Sequence, residues 1–392
     1  MDAVGRTIYL DYGAATPLDA RVRTAMEPYG SELFFNPSAA YDEARRVRAD
    51  IERARQTIAH LMGARADNLV FTAGATEANN LAFAALSDDA HVVSDAIEHE
   101  SILACVERHA HAIVDVAGDG RIDPADVAEA VTPATELVSV GLANGEIGTV
   151  QPLRALARVV AQERARRLSA GEGRPIWLHT DASQAATALS INVSSLGVDL
   201  MTLSAAKMYG PKQVGLLWAD DGIVLAPLIA GGGQERGLRS GTENVAGIIG
   251  FAHAFELASQ LRASEMRRLE ELRLRLVRPL TSAFPNAVIA GPRNVRLRLP
   301  GLLHLSFPGV EARRLVLLLG NEGVLVATGS ACAASKMRIS HVLSAIGMDE
   351  QTAAGSLRMT LGRPTTADEV DAAAGTIIRV VAAEYGRLGI RP

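Results

Sequence analysis

Four short stretches of this sequence hold the side-chain types that amine and sulfur chemistry need: GATEANN (74–80), HTDASQ (179–184), SAAKMYGPK (204–212) and GSACAAS (329–335). Gly74, Ala75 and Thr76 follow an apolar run, NLVFT, and open a helical pattern. The free N–H groups of a helix's first turn, with a hydroxyl beside them, suit a phosphate. Asp181 ends another apolar run, where an unpaired charge is costly, so it calls for a cationic partner. Lys207 follows a third run directly, placed so that desolvation can lower its pKa and free its amine for a Schiff base. Cys332 sits among small residues with Lys336 and Arg338 nearby, a setting that favours thiolate if those cations face it. Taken singly, each has an ordinary reading: a strand-to-helix turn, an N-cap aspartate, a surface lysine, a packed thiol.

Together they describe a site for a phosphate-bearing aldehyde with a protonated pyridine ring, which is pyridoxal 5'-phosphate (PLP). A protonated pyridine nitrogen would satisfy Asp181, which would in return keep the ring an electron sink, and Gln184 could donate to the phenolic oxygen. The elements that must position these groups are short apolar runs at 68–72, 91–96, 136–143, 176–183, 199–206 and 215–219, separated by helix-length segments. Unalternating runs of this kind predict an α/β fold whose mostly parallel sheet is covered on both faces, with the site at the strands' carboxyl ends. A charged helical stretch from Ala252 to Leu280 leads to a second group of elements at 304–307, 324–328 and 356–362.

Seven segments stand in one order along the chain: the GATE turn, AIEHES, NGEIG, HTDASQ, the strand-ending lysine, GGGQERGLRSGT and GSACAAS. That series resembles the cysteine desulfurases of the NifS/IscS type, within the class V aminotransferase group of PLP fold type I. The resemblance runs from YLDYGAATP (9–17) to LGRPTT (361–366). It implies a large PLP-binding domain over 13–255 and a small domain made of 1–12 and 256–392 that carries the cysteine loop. By the same resemblance Lys207 holds PLP and moves the substrate Cα proton. His99 stacks on the ring and handles a proton, Ala75, Thr76 and Ser204 bind the phosphate, and Thr242 reaches across from the other subunit of a homodimer. Arg358 grips the carboxylate of L-cysteine, with Asn36 and Asn144 in the same pocket. Cys332 attacks the substrate sulfur, becomes a persulfide and hands sulfur to an acceptor protein, for iron–sulfur clusters, thio-modified tRNA or sulfur-modified DNA.

Three positions depart from the family pattern. Ala206 stands where a histidine usually precedes the cofactor lysine, Tyr41 where a histidine follows the NPS segment, and Gly145 where the usual NNEIG has its second asparagine. Two other readings stay open: another class V reaction such as selenocysteine lyase or an aminotransferase, and a non-catalytic scaffold for sulfur-transfer partners.

Composition bounds the rest. The 392 residues, 48% of them hydrophobic, can bury substantial cores, and a net charge of −5 gives no basic footprint for nucleic acid. No stretch reaches the apolar length of a membrane span and no secretory leader is apparent, so a cytoplasmic protein is expected. Two cysteines are too few for a disulfide framework or a structural zinc site. Cys105 reads as core packing, Lys212 as solvated, and the basic runs 164–167 and 272–275 as solvated helix faces.

Overall fold

The computed structural model describes residues 7–329 and 339–390. Seven strands form the main sheet: β2 (Leu69–Thr72), β3 (His91–Asp95), β4 (Ala110–Val114), β5 (Thr135–Ser139), β6 (Trp177–Asp181), β7 (Leu200–Ser204) and β8 (Gly215–Ala219), following β1 (Ile8–Tyr9) in the chain. Their spatial order is β2-β8-β7-β6-β5-β3-β4. The pairs from β7 to β4 are parallel, as expected, and β8 runs antiparallel to both β7 and β2. The reversal has a simple cause: only ten residues with a single 3-10 turn separate β7 from β8, and a parallel return needs a crossover of a dozen residues or more. Strands β5, β7 and β8 are buried along their whole length, which is why they read as continuous apolar runs. The sequence reading missed β4, whose AHAIV forms a largely exposed edge with no apolar run to announce it.

A second group of elements contains the antiparallel sheet β12-β10-β9, made of β9 (Val288–Ile289), β10 (Leu302–Ser306) and β12 (Ser356–Thr360), beside the pair β1 and β11 (Val324–Leu325). Two cores result. The first takes in Leu69, Val138, Leu178 and Leu203 under the main sheet; the second takes in Leu10, Leu305, Phe307 and Tyr385. The helix Val245–Ala283 serves both, with Phe251 and Phe255 in the first and Leu272, Leu276 and Leu280, spaced by fours, in the second. It begins earlier than the charge pattern suggested because Asn244 caps it, accepting from the Gly247 N–H.

Two expectations about surface charge fail. Arg167 is buried, its guanidinium donating to the carbonyls of Thr132, Arg174 and Pro175, and Arg273 is buried and donates to the Pro300 carbonyl. Both belong to basic runs whose other arginines do face solvent; each buried one is held by backbone acceptors that sequence spacing cannot reveal. No helix among the described residues is long and apolar enough to cross a membrane.

Candidate active site

The carboxyl ends of the central strands open on a cavity of about 840 Å³. Such a volume suits a cofactor with a small substrate. Ala75, Thr76, His99, Asn144, Asp181, Gln184, Ser204, Lys207 and Arg358 all line it, so most of the residues singled out in the sequence converge here.

Gly74 sits between β2 and the helix Ala75–Phe83 with φ of +137°, a conformation that favours glycine. A Cβ at Gly215 of β8 would lie only 2.6 Å from the Gly74 carbonyl carbon. Two glycines therefore press the turn against the sheet and aim the N–H groups of the helix's first turn at the cavity. Glu77 braces the turn, accepting from the Ala73 N–H at 2.9 Å and from Arg239 Nε at 3.0 Å.

Asp181 ends β6. Its Oδ1 accepts from the Ser183 N–H at 2.9 Å and its Oδ2 from Asn79 Nδ2 at 3.0 Å. The same Asn79 amide donates to Ser101 Oγ at 2.9 Å, and Ser101 Oγ lies 2.8 Å from His99 Nδ1. The Ser101 N–H donates to His99 Nδ1, which puts the proton of the neutral ring on Nε2. Asn79 and Ser101 thus tie the aspartate to the histidine, a link no spacing in the sequence announced.

Lys207 lies in the single 3-10 turn after β7, and its Nζ donates to the carbonyls of Gly13 at 2.8 Å and Ala14 at 2.7 Å. Gln184 Nε2 donates to the same Gly13 oxygen at 3.0 Å. Ala206 lines the cavity beside the lysine, and its carbonyl accepts from the Thr16 hydroxyl at 2.9 Å. Gly145 has a local reason: a Cβ there would lie 2.9 Å from the Gln184 side chain. Arg358 reaches the cavity from β12, where it pairs across the sheet with His304. His304 is fully buried and stays neutral, its pKa driven down to about 3 by burial and then by the Arg358 and Arg298 cations.

The cavity wall also holds two acids that went unnoticed in the sequence. Burial pushes Asp95 up to about 7, and burial with the neighbouring Asp95 holds Glu98 well above the usual carboxyl range. Glu98 accepts from the N–H groups of Gly141 and His99. The signal available was DAIEHES itself, two acids flanking an apolar pair at a strand end.

One expectation comes out differently and three others take a particular form. Asn36 is exposed and does not line the cavity; its side chain accepts from the Ser38 N–H at 2.9 Å and closes a turn. Asn144 does line it, but its amide is engaged in holding the chain: Nδ2 donates to the Ile97 carbonyl, and Oδ1 accepts from the N–H groups of Glu146 and Ile147. Lys212 is exposed as expected, yet on the cavity rim. Thr242 is exposed and does not line its own chain's cavity. Cys332, Lys336 and Arg338 lie outside the described residues. Cys105 is buried among Phe83, Val92 and Leu137, and burial pushes its thiol pKa up, so it is poorly nucleophilic.

The donor set fits PLP: a helix N-terminus for phosphate, a carboxylate held by two N–H donors for a ring cation, and an amine at a strand end. Among the described residues no group of His, Cys, Asp or Glu could hold a metal ion.

The chain is similar to known proteins over nearly its whole length. The aminotransferase class-V family model matches residues 8–373. The cysteine desulfurase IscS of Dictyoglomus turgidum is 40% identical over 386 residues, covering 96% of this chain and 95% of that one. A solved NifS-like protein superposes with a TM-score of 0.87 at 31% identity, covering 96% of this chain and all of that one. The structure of SspA in complex with cysteine superposes with a TM-score of 0.75 at 32% identity, covering 91% of this chain and 99% of that one.

Proposed function

This chain belongs to the class-V aminotransferase family and is a PLP-dependent enzyme of the cysteine desulfurase kind; we propose that it moves the sulfur of L-cysteine onto Cys332, leaves L-alanine, and passes the sulfur to an acceptor protein. One observation carries the reading: Lys207, Asp181, the Gly74–Thr76 turn and Arg358 share a single cavity, in a chain that also holds a second nucleophile in GSACAAS.

Bound in that cavity, PLP supplies an electron sink for the electron pair left when the substrate Cα loses its proton. The chain's own residues do the rest. The first turn of Ala75–Phe83, with Thr76 and Ser204, would hold the phosphate; Asp181, fixed by Asn79 and Ser183, would hold the ring nitrogen proton; Gln184 would serve the phenolic oxygen. Lys207 Nζ would take the proton from Cα, and His99, whose Nδ1 accepts from the Ser101 N–H, would stack on the ring and act as the nearby proton carrier. Arg358 presents its fork to the substrate carboxylate. Cys332 Sγ, as thiolate, bonds to the substrate Sγ while the substrate Cβ–Sγ bond breaks, and Cβ takes up a proton on the way to alanine.

Two copies complete two sites, each Thr242 serving its partner's phosphate turn; that Thr242 is exposed and does not line its own cavity supports this. The two cores support a division into a large unit over 13–255 and a small unit of 1–12 and 256–392. A reducing, cytoplasmic setting keeps Cys332 a free thiol.

The test is product stoichiometry. Purified protein given PLP, L-cysteine and a reductant releases sulfide and alanine in equal amounts. Cys332→Ser binds PLP and L-cysteine but releases no sulfide, and Lys207→Ala loses the yellow cofactor absorbance. Undiminished sulfide release by Cys332→Ser would remove the desulfurase mechanism and leave a lyase.

A further inference from the structure

The Arg358 fork is already engaged in the resting protein. Nη2 donates to Asp11 Oδ1 at 2.8 Å and Nη1 to the Gly145 carbonyl at 3.3 Å. The Arg358 side chain is 5% exposed and that of Asp11 20%. Burying a guanidinium without an anion is expensive, so something must neutralise Arg358 whenever no amino acid is bound. Asp11 does so through one oxygen, whereas the fork can take a free carboxylate through two.

Asp11 lies on a segment with a second duty. Its neighbours Leu10 and Tyr12 hydrogen-bond with the Thr360 backbone, and the Gly13 N–H donates to Thr360 Oγ1 at 2.7 Å. The carbonyls that follow, Gly13 and Ala14, are those that accept from Lys207 Nζ. One short stretch thus holds a carboxylate on the substrate-facing arginine and carbonyls on the catalytic lysine.

We propose that Asp11 is a placeholder for the substrate carboxylate: it occupies Arg358 while the site lacks an amino acid, and the α-carboxylate of the incoming amino acid displaces it. The proposal rests on the reading that Arg358 receives that carboxylate. The exchange is isoelectric, because one carboxylate replaces another and the arginine is never left unpaired. Asp11 acts through Arg358 and is a positioning residue, and its displacement frees the segment whose carbonyls hold Lys207. A placeholder competes with the ligand. Its removal therefore tightens carboxylate binding, which is the opposite of what loss of a merely structural contact would do.

The experiment is a titration of the cofactor absorbance of the holoenzyme with L-alanine and with ethylamine, which lacks the carboxylate. In Asp11→Asn the Kd for L-alanine falls about tenfold, the equivalent of one competing charge-assisted hydrogen bond. The Kd for ethylamine stays unchanged, and KM for L-cysteine falls without a rise in kcat. If Asn hampers folding, Asp11→Ala serves instead, with the added outcome that formate weakens L-alanine binding to it competitively. Weaker or unchanged L-alanine binding in a folded Asp11 variant overturns the proposal. Arg358→Gln separates the premise: it loses L-alanine binding and keeps ethylamine binding if Arg358 takes the carboxylate. Equal L-alanine binding in Arg358→Gln and wild type would overturn both.

Discussion

Glu235→Gln is a severe substitution for reasons the structure makes quantitative. Arg55 Nη1 and Nη2 donate to the Glu235 carboxylate at 2.8 and 2.7 Å, and both side chains are 4% exposed. The pair also closes the open edge of β2: Glu235 Oε2 accepts from the Phe71 N–H at 2.8 Å, and Arg55 Nη1 donates to the Leu69 carbonyl at 2.9 Å. Glu235 and Arg236 are held at φ of +46° and +58°, a backbone state that costs about 1–3 kcal/mol per residue and persists only when contacts impose it. Removing Arg55 leaves the Glu235 carboxylate buried without a cation, a loss of about 3–5 kcal/mol, whereas removing Glu235 leaves Arg55 with Glu52, whose carboxylate lies 3.1 Å from Nε. Glu235→Gln, which keeps the shape and one acceptor, belongs at the low end of that range, and Arg55→Met at the high end. The double change Arg55→Met with Glu235→Leu leaves no orphan charge, so it destabilises by about 2 kcal/mol less than the sum of its parts. Urea denaturation of wild type, Arg55→Met, Glu235→Leu and the double variant measures this coupling. Because the pair anchors the segment that leads to Thr242 and the strand that leads to Gly74, PLP affinity falls as well. Single variants that each lose under about 1 kcal/mol, or a strictly additive double, would refute the reasoning.

Three further outcomes are expected. Asp95 has a folded pKa of about 7 against an ordinary 3.8, so between those values the folded state binds the extra proton. Stability present below the unfolded pKa is therefore lost as pH rises towards 7, by up to about 4 kcal/mol, and Asp95→Asn lessens that slope in denaturation curves taken from pH 4 to 8, leaving the part that the raised Glu98 contributes. Gly215→Ala drives a methyl into the Gly74 backbone, shifts the phosphate turn at a cost of about 1–3 kcal/mol and weakens PLP binding, read by absorbance titration with circular dichroism confirming the fold. Ala206→His restores a donor beside Lys207 and tightens PLP by about tenfold in the same titration, the worth of one hydrogen bond to a charged group.

Much of the site was legible because its residues end strands. Asp181 and Lys207 each follow an apolar run, and Ala75 and Thr76 open the helix after another, so the sheet carries them to one edge and local pattern suffices to find them. Other contributions exist only in three dimensions. Asn79 matters because a helix from one strand connection faces the end of a distant strand, and Asp11 because β12 brings Arg358 beside it. Arg167 and Arg273 looked like solvent-facing members of basic runs, yet their guanidinium groups meet backbone carbonyls from other segments. The edge strand β4 lacked the apolar run that betrays buried strands, and Asn36, placed in the pocket by family resemblance, instead closes its own turn.

The most direct measurement is the mass of the Cys332 peptide after a single turnover. Holoenzyme mixed with one equivalent of L-cysteine in the absence of reductant is quenched, alkylated, digested and weighed. The mechanism proposed for this chain requires one added sulfur atom on the peptide containing Cys332, none on Cys105, and one alanine per persulfide. Alanine formed while Cys332 stays unmodified would contradict it, and so would sulfur found on Cys105.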